Sequence, residues 1–456
     1  MTDYIDLNGE GRNFGDEAAE REVRENDRNY VFHSWSAQGK INPMPIAKGE
    51  GVRFWDYEGT EYLDFSSQLV NLNLGHQHPG LVQAIQEQAG RLATIQPAMA
   101  NDARGELAKR IVEHSFDDAR SVFFTNGGAE ANEYAVRMAR HHTGRQKVMA
   151  RFRSYHGSTA TAITLTGESR RWANGTPDAG VVHFFGPYQY RSEFYAETPE
   201  QEAERALTHL EHTIQLEGPG TIAAIILETV TGTNGIFVPP PGYLAGVREL
   251  CDKYGIVMIC DEVMAGFGRT GQWFAYQAWD VQPDLVTFAK GVNSGYVPLG
   301  GVVVSEAIHA SFEDRPFPGG LTYSGHPLGC AAGVATFDIF EREGILERVR
   351  DLASRVVGPR LAEMASKHPS VGDVRGTGLF WALELVTDRG TRAPLEGDAY
   401  NAVVAACKSA GLWPFAAGNR LQIAPPLIID EADLVRGLDI IDEALNVADS
   451  YYLAAR

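Results

Sequence analysis

Apolar runs and amphipathic stretches alternate through the middle of the chain. Continuous, mostly apolar runs at residues 221–230, 256–263, 284–291 and 300–306 predict strands that are covered on both faces. Residues 241–255 begin near a proline, keep apolar residues at helical spacing and stop at a glycine, so they predict a helix. The order strand, helix, strand predicts an α/β fold with a mostly parallel sheet.

The two ends of the chain have a different pattern. Residues 1–70 are polar and contain a hairpin-like stretch at 51–65, whereas residues 336–456 mix helical stretches with short strands such as 378–386. We expect both ends to form a second, smaller α+β domain beside a large domain at residues 71–335.

Composition limits the class of protein. A chain of 456 residues, 44% hydrophobic and 22% charged, is globular and long enough for more than one domain. Its net charge of -19 argues against nucleic acid or an anionic membrane as a partner. No apolar run reaches the roughly 18 residues of a membrane-spanning helix, and the acidic start lacks the apolar core of a secretory signal. The four cysteines match no zinc or C-x-x-C spacing, so we expect a cytoplasmic protein without disulfides or a metal site.

Three chemical features fall where predicted strands end, which is where open α/β sheets bind ligands. Gly127 and Gly128 join a strand to a helix and offer backbone N–H groups to a phosphate. Asp261 ends the second apolar run, and Lys290 follows the apolar residues LVTFA. Each feature taken alone has an ordinary explanation: a plain turn, a capping carboxylate and a strand that reaches the surface.

Taken together, the three features have one economical explanation. Pyridoxal 5'-phosphate needs a lysine for its aldehyde, an acid that keeps its pyridine nitrogen protonated and an anion site for its phosphate. A lysine held out of water loses its proton and can form a Schiff base with a carbonyl. Lys290 could then move a proton between the substrate carbon and the cofactor. The combination predicts pyridoxal phosphate as the cofactor.

Motifs over nearly the whole chain, from about residue 33 to 446, resemble those of the class III (ω-) aminotransferases of the fold type I pyridoxal phosphate enzymes. The similar stretches are LNLGHQHP (72–79), FFTNGGAEANEYAVRMAR (123–140), SYHGST (154–159), AAIILET (223–229), ICDEVMAGFGRTG (259–271), FAKGV (288–292), LTYSGHPLGCAA (321–332) and IAPPLII (423–429). The resemblance implies a fold type I transferase fold. SSQLVNLNLGH and WPFAAGNR look most similar to the taurine and ω-amino-acid branch.

The resemblance also implies roles for individual residues. Lys290 is expected to carry the cofactor and the proton, and Asp261 to pair with the pyridine nitrogen. The other implied cofactor contacts are Gly127, Gly128 and Ala129 at the phosphate, Tyr155 and Val263 on the two faces of the ring, Glu228 near the cofactor oxygen, and Thr322 reaching the phosphate from the neighbouring subunit. Such a contact implies a homodimer with its active sites at the subunit interface, and it leaves a tetramer open. His156 and His326 are expected to be structural.

One departure concerns the phosphate site. Many relatives have S-G-[ST] or T-G-[ST] where this chain has Gly127, Gly128 and Ala129. Two hydroxyl groups that could bind phosphate are therefore missing, so we expect backbone N–H groups and Thr322 to hold it, with somewhat looser cofactor binding.

A second departure concerns the substrate. Gln422 stands where many relatives that use 2-oxoglutarate have an arginine, and Phe415 stands where amine–pyruvate transaminases have a movable one. Arg420 shares a strand face with Gln422, and its planar fork suits a carboxylate or sulfonate. A surface arginine explains Arg420 equally well. The residues expected to line the amine pocket are Trp35, Leu69 and Val70.

The function expected from this evidence is that of an ω-transaminase with a ping-pong reaction. It would move an amino group from a primary amine or ω-amino acid, such as taurine or β-alanine, to pyruvate or, next, to 2-oxoglutarate. An aminomutase or a decarboxylase of the same fold is the alternative. A binding protein that has lost activity is disfavoured by the presence of Lys290, Asp261 and Tyr155.

Overall fold

The structure is a computed structural model and describes residues 15–175 and 178–452. Most of the acidic opening stretch, in which no secretory signal was expected, therefore lies outside the described residues, as do the last four residues of the predicted C-terminal domain.

The chain folds into helices and strands that alternate through its middle part. The helices are α1 (Glu17–Tyr30), α2 (Ser67–Val70), α3 (Pro79–Arg91), α4 (Asp102–Glu113), α5 (Gly128–Thr143), α6 (Ala160–Leu165), α7 (Pro199–Glu217), α8 (Tyr243–Tyr254), α9 (Glu306–Ala310), α10 (Pro327–Glu343), α11 (Ile345–Leu352), α12 (Gly358–Lys367), α13 (Gly397–Ser409) and α14 (Glu431–Ser450). The strands are β1 (Ile46–Glu50), β2 (Arg53–Asp56), β3 (Glu61–Phe65), β4 (Ala119–Thr125), β5 (Lys147–Arg151), β6 (Val181–Phe184), β7 (Ile222–Glu228), β8 (Val257–Asp261), β9 (Leu285–Phe288), β10 (Gly300–Ser305), β11 (Val371–Thr377), β12 (Phe380–Asp388), β13 (Ala393–Pro394), β14 (Leu412–Ala417) and β15 (Arg420–Ile423).

A sheet of seven strands has the order β4-β10-β9-β8-β7-β5-β6. Its strands pair in parallel except β10, which runs antiparallel to both neighbours. Successive residues of β7 enter different apolar clusters: Ile225 and Leu227 pack on one side, and Ala224 and Ile226 on the other. Both faces are covered, which explains why this strand has a continuous apolar sequence rather than an alternating one. The predicted mostly parallel α/β sheet is confirmed.

Helices α7 and α8 contribute to the cluster on one side of this sheet, and α5 contributes to the cluster on the other. Helix α8 ends at Gly255, whose φ of 61° lies in the left-handed region that glycine adopts without strain. The predicted helix between the first two apolar runs is therefore present, with its C-terminal glycine stop.

A second sheet contains strands from both ends of the chain. Its order is β1-β2-β3-β14-β15-β12-β11, with β13 paired to β12. The hairpin-like stretch forms β2 and β3, which pair antiparallel, and β3 pairs in parallel with β14 from the C-terminal part. The predicted boundary between residues 335 and 336 falls inside helix α10. The division into three segments stays a prediction.

Arg269 connects the loop after β8 to both chain ends. Its side chain is fully buried. Nη1 donates to the carbonyl oxygens of Leu379 (3.2 Å) and Pro425 (2.6 Å). Nη2 donates to Ser67 Oγ (3.1 Å) and Asn73 Oδ1 (2.8 Å). This cation therefore satisfies acceptors from segments that are distant in sequence, which fixes the position of the second sheet.

All four cysteines are free and buried, where a thiol packs as a small apolar side chain. Among the helices that the structure describes, none has the length and apolar character needed to cross a bilayer.

Candidate active site

A cavity of about 470 Å³ lies at the carboxyl ends of β7, β8 and β9. Ten of the residues expected at the site line it: Trp35, Leu69, Gly127, Gly128, Ala129, Tyr155, Glu228, Asp261, Val263 and Lys290. The other four, Val70, Thr322, Phe415 and Arg420, do not line it.

The register of the parallel strands brings the two acidic residues together. Glu228 is the last residue of β7 and pairs with Asp261, the last residue of β8. Asp261 in turn pairs with Thr287 on β9, three residues before Lys290. Neighbouring parallel strands therefore end at one edge, as the rule for open α/β sheets predicts.

Asp261 is held by polar groups from two other segments. Its Oδ2 accepts a hydrogen bond from Asn132 Nδ2 (2.8 Å) and lies 2.7 Å from His156 Nδ1, while Oδ1 accepts from the backbone N–H of Val263 (3.1 Å). Asn132 is itself oriented by Thr287, whose hydroxyl donates to Asn132 Oδ1 (2.7 Å). The carboxylate is thus fixed in position by groups from three places in the chain.

Sequence reasoning missed part of this arrangement. Asn132 was given no role, and His156 was expected only to have a structural role; both contact Asp261 and line the cavity. The available signal was position: Asn132 lies one helical turn after Gly128, and His156 directly follows Tyr155. His156 supports the acidic residue rather than a distant part of the core.

Lys290 begins a 3-10 turn, Lys290–Val292, directly beyond β9. Its φ of 45° lies in the left-handed region, which is strained for a residue other than glycine and is a feature that clusters at functional sites. Burial lowers the pKa of Lys290 to about 8, against the opposing effect of Asp261 and Glu228, which favour the charged amine. About one-tenth of this amine is therefore uncharged at pH 7, far more than for a lysine with an ordinary pKa.

The turn before α5 has the properties of a phosphate cradle. Gly127 precedes the first residue of this 16-residue helix, Gly128. A Cβ atom added to Gly127 would meet no atom within 4 Å, so this residue faces open space. The first N–H groups of a helix have no acceptor within the helix and attract anions. An anionic phosphate group fits here, bound by the backbone.

Tyr155 and Glu228 are joined at the cavity wall. Glu228 Oε1 accepts from the backbone N–H of Tyr155 (3.0 Å), and its Oε2 accepts from the backbone N–H of Gly232 (2.7 Å). Burial raises the pKa of Glu228.

Val263 packs directly against Gly128. A Cβ atom added to Gly128 would lie only 2.7 Å from Val263 Cγ1. An aromatic and an aliphatic side chain thus border the space next to Lys290.

Trp35 and Leu69 form the outer part of the cavity and are 67% and 54% exposed. The segment around Leu69 is strained: Ser67, Gln68 and Val70 all have positive φ. Positive φ is a clear outlier for a β-branched residue such as Val70.

Four predicted residues lie elsewhere in the structure. Val70 is buried in an apolar cluster against which Phe415 packs, so neither faces the cavity. Arg420 pairs in register with Glu384 on β12, and its Nη1 lies 3.5 Å from Asn419 Oδ1. Arg420 does not line the cavity, and its place at the substrate stays a prediction. Thr322 is exposed, and its contact to a neighbouring subunit stays a prediction.

A lysine of lowered pKa, a carboxylate fixed by two side chains and a phosphate cradle around one cavity define a pyridoxal phosphate enzyme. Residues 35–445 match the model of the class-III aminotransferase family. The chain belongs to this family.

Relatives with solved structures or curated names agree with this assignment. The chain is 43% identical to the taurine:2-oxoglutarate aminotransferase of Bifidobacterium kashiwanohense, solved with PLP and glutamate, with a TM-score of 0.92 over 95% of this chain and 99% of that one. It is 36% identical to the taurine–pyruvate aminotransferase of Rhodobacter capsulatus over 92% of this chain and 96% of that protein. It is also 36% identical to the putrescine–pyruvate aminotransferase of Pseudomonas aeruginosa, over 88% of this chain and 89% of that protein.

These findings confirm three expectations: the fold type I transferase fold, the pyridoxal phosphate cofactor and aminotransferase activity.

Proposed function

We propose that this aminotransferase is an ω-transaminase that takes the amino group of an ω-amino acid or simple primary amine and passes it to pyruvate. The observation that carries the proposal is the convergence of Lys290, Asp261 and the Gly127–Gly128 cradle on one cavity. Pyridoxal phosphate, when bound, supplies an electron sink that stabilises negative charge on the amino-bearing carbon.

The chain's own residues have separable tasks in this reaction. Lys290 Nζ can accept and return a proton near neutral pH, because its pKa is lowered to about 8. Asp261, fixed by Asn132 and His156, would pair with the ring nitrogen of the bound cofactor. The N–H groups at the start of α5 hold the phosphate.

Taurine and β-alanine are the donors we favour, and pyruvate is the acceptor. Two relatives are named for pyruvate and one for 2-oxoglutarate, and two are named for taurine. Pyruvate has one carboxylate to bind, whereas 2-oxoglutarate has two. The described residues that line the cavity include no arginine, which fits the smaller acceptor better.

The test is the visible absorption spectrum of the purified enzyme loaded with pyridoxal phosphate. Taurine, β-alanine and n-propylamine are added one at a time, without any keto acid. We expect the yellow colour to bleach as the amino group passes to the cofactor, and to return when pyruvate is added. The Lys290→Ala variant is the control and should show neither the starting colour of a lysine-bound cofactor nor turnover.

Two results would contradict the proposal. A yellow protein that no donor bleaches, yet that consumes one amino acid without a keto acid, would indicate the mutase or decarboxylase. If 2-oxoglutarate restores the yellow colour and pyruvate does not, the acceptor is 2-oxoglutarate rather than pyruvate.

We also propose that the enzyme is a cytoplasmic homodimer whose subunits complete each other's active sites through Thr322. Large exposed apolar side chains support the dimer: helix α1 has no buried residue, Tyr30 and Phe32 after it are 85% and 87% exposed, and Tyr323 is 62% exposed. Four reduced cysteines support the compartment. Light scattering after size exclusion would show a dimer, whereas a monomer would refute the shared site and a tetramer would add a second interface.

A further inference from the structure

A short loop at residues 231–237 connects Glu228 to the second sheet. The loop closes on itself, because the backbone N–H of Thr231 donates to the carbonyl oxygen of Phe237 (3.2 Å). The backbone N–H of Gly232 donates to Glu228 Oε2 (2.7 Å), and Thr233 lines the cavity. A contact that fixes this loop therefore also fixes one oxygen atom of Glu228.

The backbone of the 231–237 loop is strained. Ile236 has a φ of 54°, which is a clear outlier for a β-branched residue. Gly235 has a φ of 143°, in the region that favours glycine. Strained backbone persists only where the surrounding structure holds it. The loop therefore needs contacts from outside itself.

Arg375 supplies such a contact from strand β11 of the second sheet. Its Nε donates to the carbonyl oxygen of Gly235 at 2.6 Å. Its guanidinium carbon also lies 5.0 Å from the centre of the Phe237 ring. A charge-assisted hydrogen bond and a cation–π contact thus hold the loop at Gly235 and at its last residue.

Buried acidic groups fix Arg375 itself. Its Nη1 lies 2.9 Å from Glu384 Oε2 and donates to Asp373 Oδ2 at 2.5 Å. The Glu384 side chain is 1% exposed, and its Oε1 accepts from Arg191 Nε (2.7 Å). Because Arg375 is only 12% exposed and held at a second nitrogen, its Nε stays directed at the loop.

We propose that Arg375 is a positioning residue of the active site, which holds the 231–237 loop in its strained shape and thereby keeps the Gly232 N–H on the carboxylate of Glu228. The other oxygen of Glu228 accepts from the backbone N–H of Tyr155, a residue of the cavity wall. None of the described strands of the second sheet lines the cavity, so this sheet acts on it through the loop. The role is independent of which donor or acceptor the enzyme uses.

The first experiment measures amide hydrogen exchange in the enzyme loaded with pyridoxal phosphate, by mass spectrometry of peptides that cover residues 231–237. Arg375→Met removes the hydrogen bond to Gly235. It should speed the exchange of the loop amides on the order of tenfold or more, because a hydrogen bond to a charged group is lost. The amides that have acceptors in the loop or on Glu228 are those of Thr231, Gly232, Gly235 and Ile236.

Arg389→Met is the matched control. Arg389 also donates to a backbone carbonyl oxygen of the second sheet, that of Val371 at the start of β11 (3.0 Å). It should leave the exchange of the 231–237 loop as in wild type, even if it lowers the thermal midpoint.

Gly235→Ala perturbs the same contact from the side of the loop. A Cβ atom there would lie 2.9 Å from Arg375 Nη2 and 2.8 Å from Phe237 Cζ. This variant should also speed exchange of the loop. Because both changes act through one contact, the double variant should exchange much more slowly than the two separate effects multiplied together would give.

A second experiment measures the Kd for pyridoxal phosphate by visible absorption. Arg375→Met should raise this Kd by up to about tenfold, since Glu228 and Tyr155 border the cofactor site. Arg375→Lys keeps the charge but cannot contact Gly235 and Glu384 with the fork of an arginine, so it should restore only part of the affinity.

Three results would overturn the proposal: loop exchange as slow as in wild type in Arg375→Met, an equal acceleration in Arg389→Met, or an acceleration spread evenly over the seven-stranded sheet. If Arg375→Met does not fold, Arg375→Lys and Gly235→Ala are judged by the same three results. If the loop opens in the Arg375 variants but no donor bleaches the wild-type cofactor, this inference stands and the proposed function fails.

Discussion

Replacing Gly128 with alanine tests whether Val263 must stay where it is for the cofactor to bind. A Cβ atom at Gly128 would lie 2.7 Å from Val263 Cγ1 and 2.8 Å from Cγ2. Carbon atoms in good contact are about 3.5–4.0 Å apart, so the valine would have to move by roughly 1 Å. Both methyl groups are contacted and the β-branched side chain is stiff, so a change of rotamer gives no easy escape.

The size of the effect follows from the cost of overpacking, typically about 1–3 kcal/mol. A midpoint near 2 kcal/mol corresponds to roughly a 30-fold weaker affinity for pyridoxal phosphate. Val263 lines the cavity and can shift into it while no cofactor is bound. The strain should therefore appear in the Kd for the cofactor and leave the thermal midpoint of the cofactor-free enzyme almost unchanged.

The assay is a titration of cofactor-free variants with pyridoxal phosphate, followed by visible absorption. Gly127→Ala is the matched control, because a Cβ atom there meets no protein atom within 4 Å. It should bind far more tightly than Gly128→Ala. Adding Val263→Ala to Gly128→Ala removes both contacted methyl groups and should restore much of the affinity. Unchanged affinity in Gly128→Ala, or no recovery in the double variant, would refute the reasoning.

Three further predictions concern buried charged groups. The rate of pyridoxal phosphate incorporation should rise with pH up to about 8 and level off above it, because only the uncharged amine of Lys290 attacks the aldehyde of the cofactor. Stopped-flow absorption measures this rate, and a rate that does not change with pH would contradict the prediction. Burial raises the pKa of Glu262 to about 7 from its ordinary 4.5, so the folded state holds this proton more tightly than the unfolded state. As the pH rises from 4.5 to 7, the unfolding free energy of wild type should therefore fall by up to about 3 kcal/mol relative to that of Glu262→Gln, measured by urea titration. A difference between the two proteins that stays the same at every pH would contradict this. Arg269→Met should destabilise the enzyme by about 3–5 kcal/mol, because it leaves buried acceptors on both chain ends without a donor; a shift in urea midpoint equivalent to less than about 1 kcal/mol would show that the acceptors find other donors.

The strands of the seven-stranded sheet and the helices packed on it were predictable from local pattern. Residues 222–228 form a strand covered on both sides, and their uninterrupted apolar sequence expresses that environment directly. The places of Asp261 and Lys290 followed from the same pattern, because each lies where an apolar run stops. Burial on both faces leaves a clear trace in sequence.

The antiparallel direction of β10 was not visible in its sequence. Residues 300–305 are fully buried, as are those of the neighbouring strand β9. Direction depends on the path of the connecting chain and on the neighbours β4 and β9, which the strand's own residues do not encode.

The contacts that position Asp261 needed the tertiary structure. Asn132 and His156 are 129 and 105 residues away from Asp261 along the chain. The local structure of each segment explains its sequence, so neither segment indicates a contact with Asp261. A side chain that completes a site from another segment carries no periodic signal. The group that such a side chain contacts depends on the strand register and on where the helices pack.

Two arginines show the same division. The sequence alone determined that arginines stand at positions 170 and 420, and strand alternation placed Arg420 on the face of Gln422. Only the tertiary structure decided which of them lies beside Tyr155. A side chain's face on a strand is a local property, whereas the surface opposite that face depends on how sheets and loops pack together.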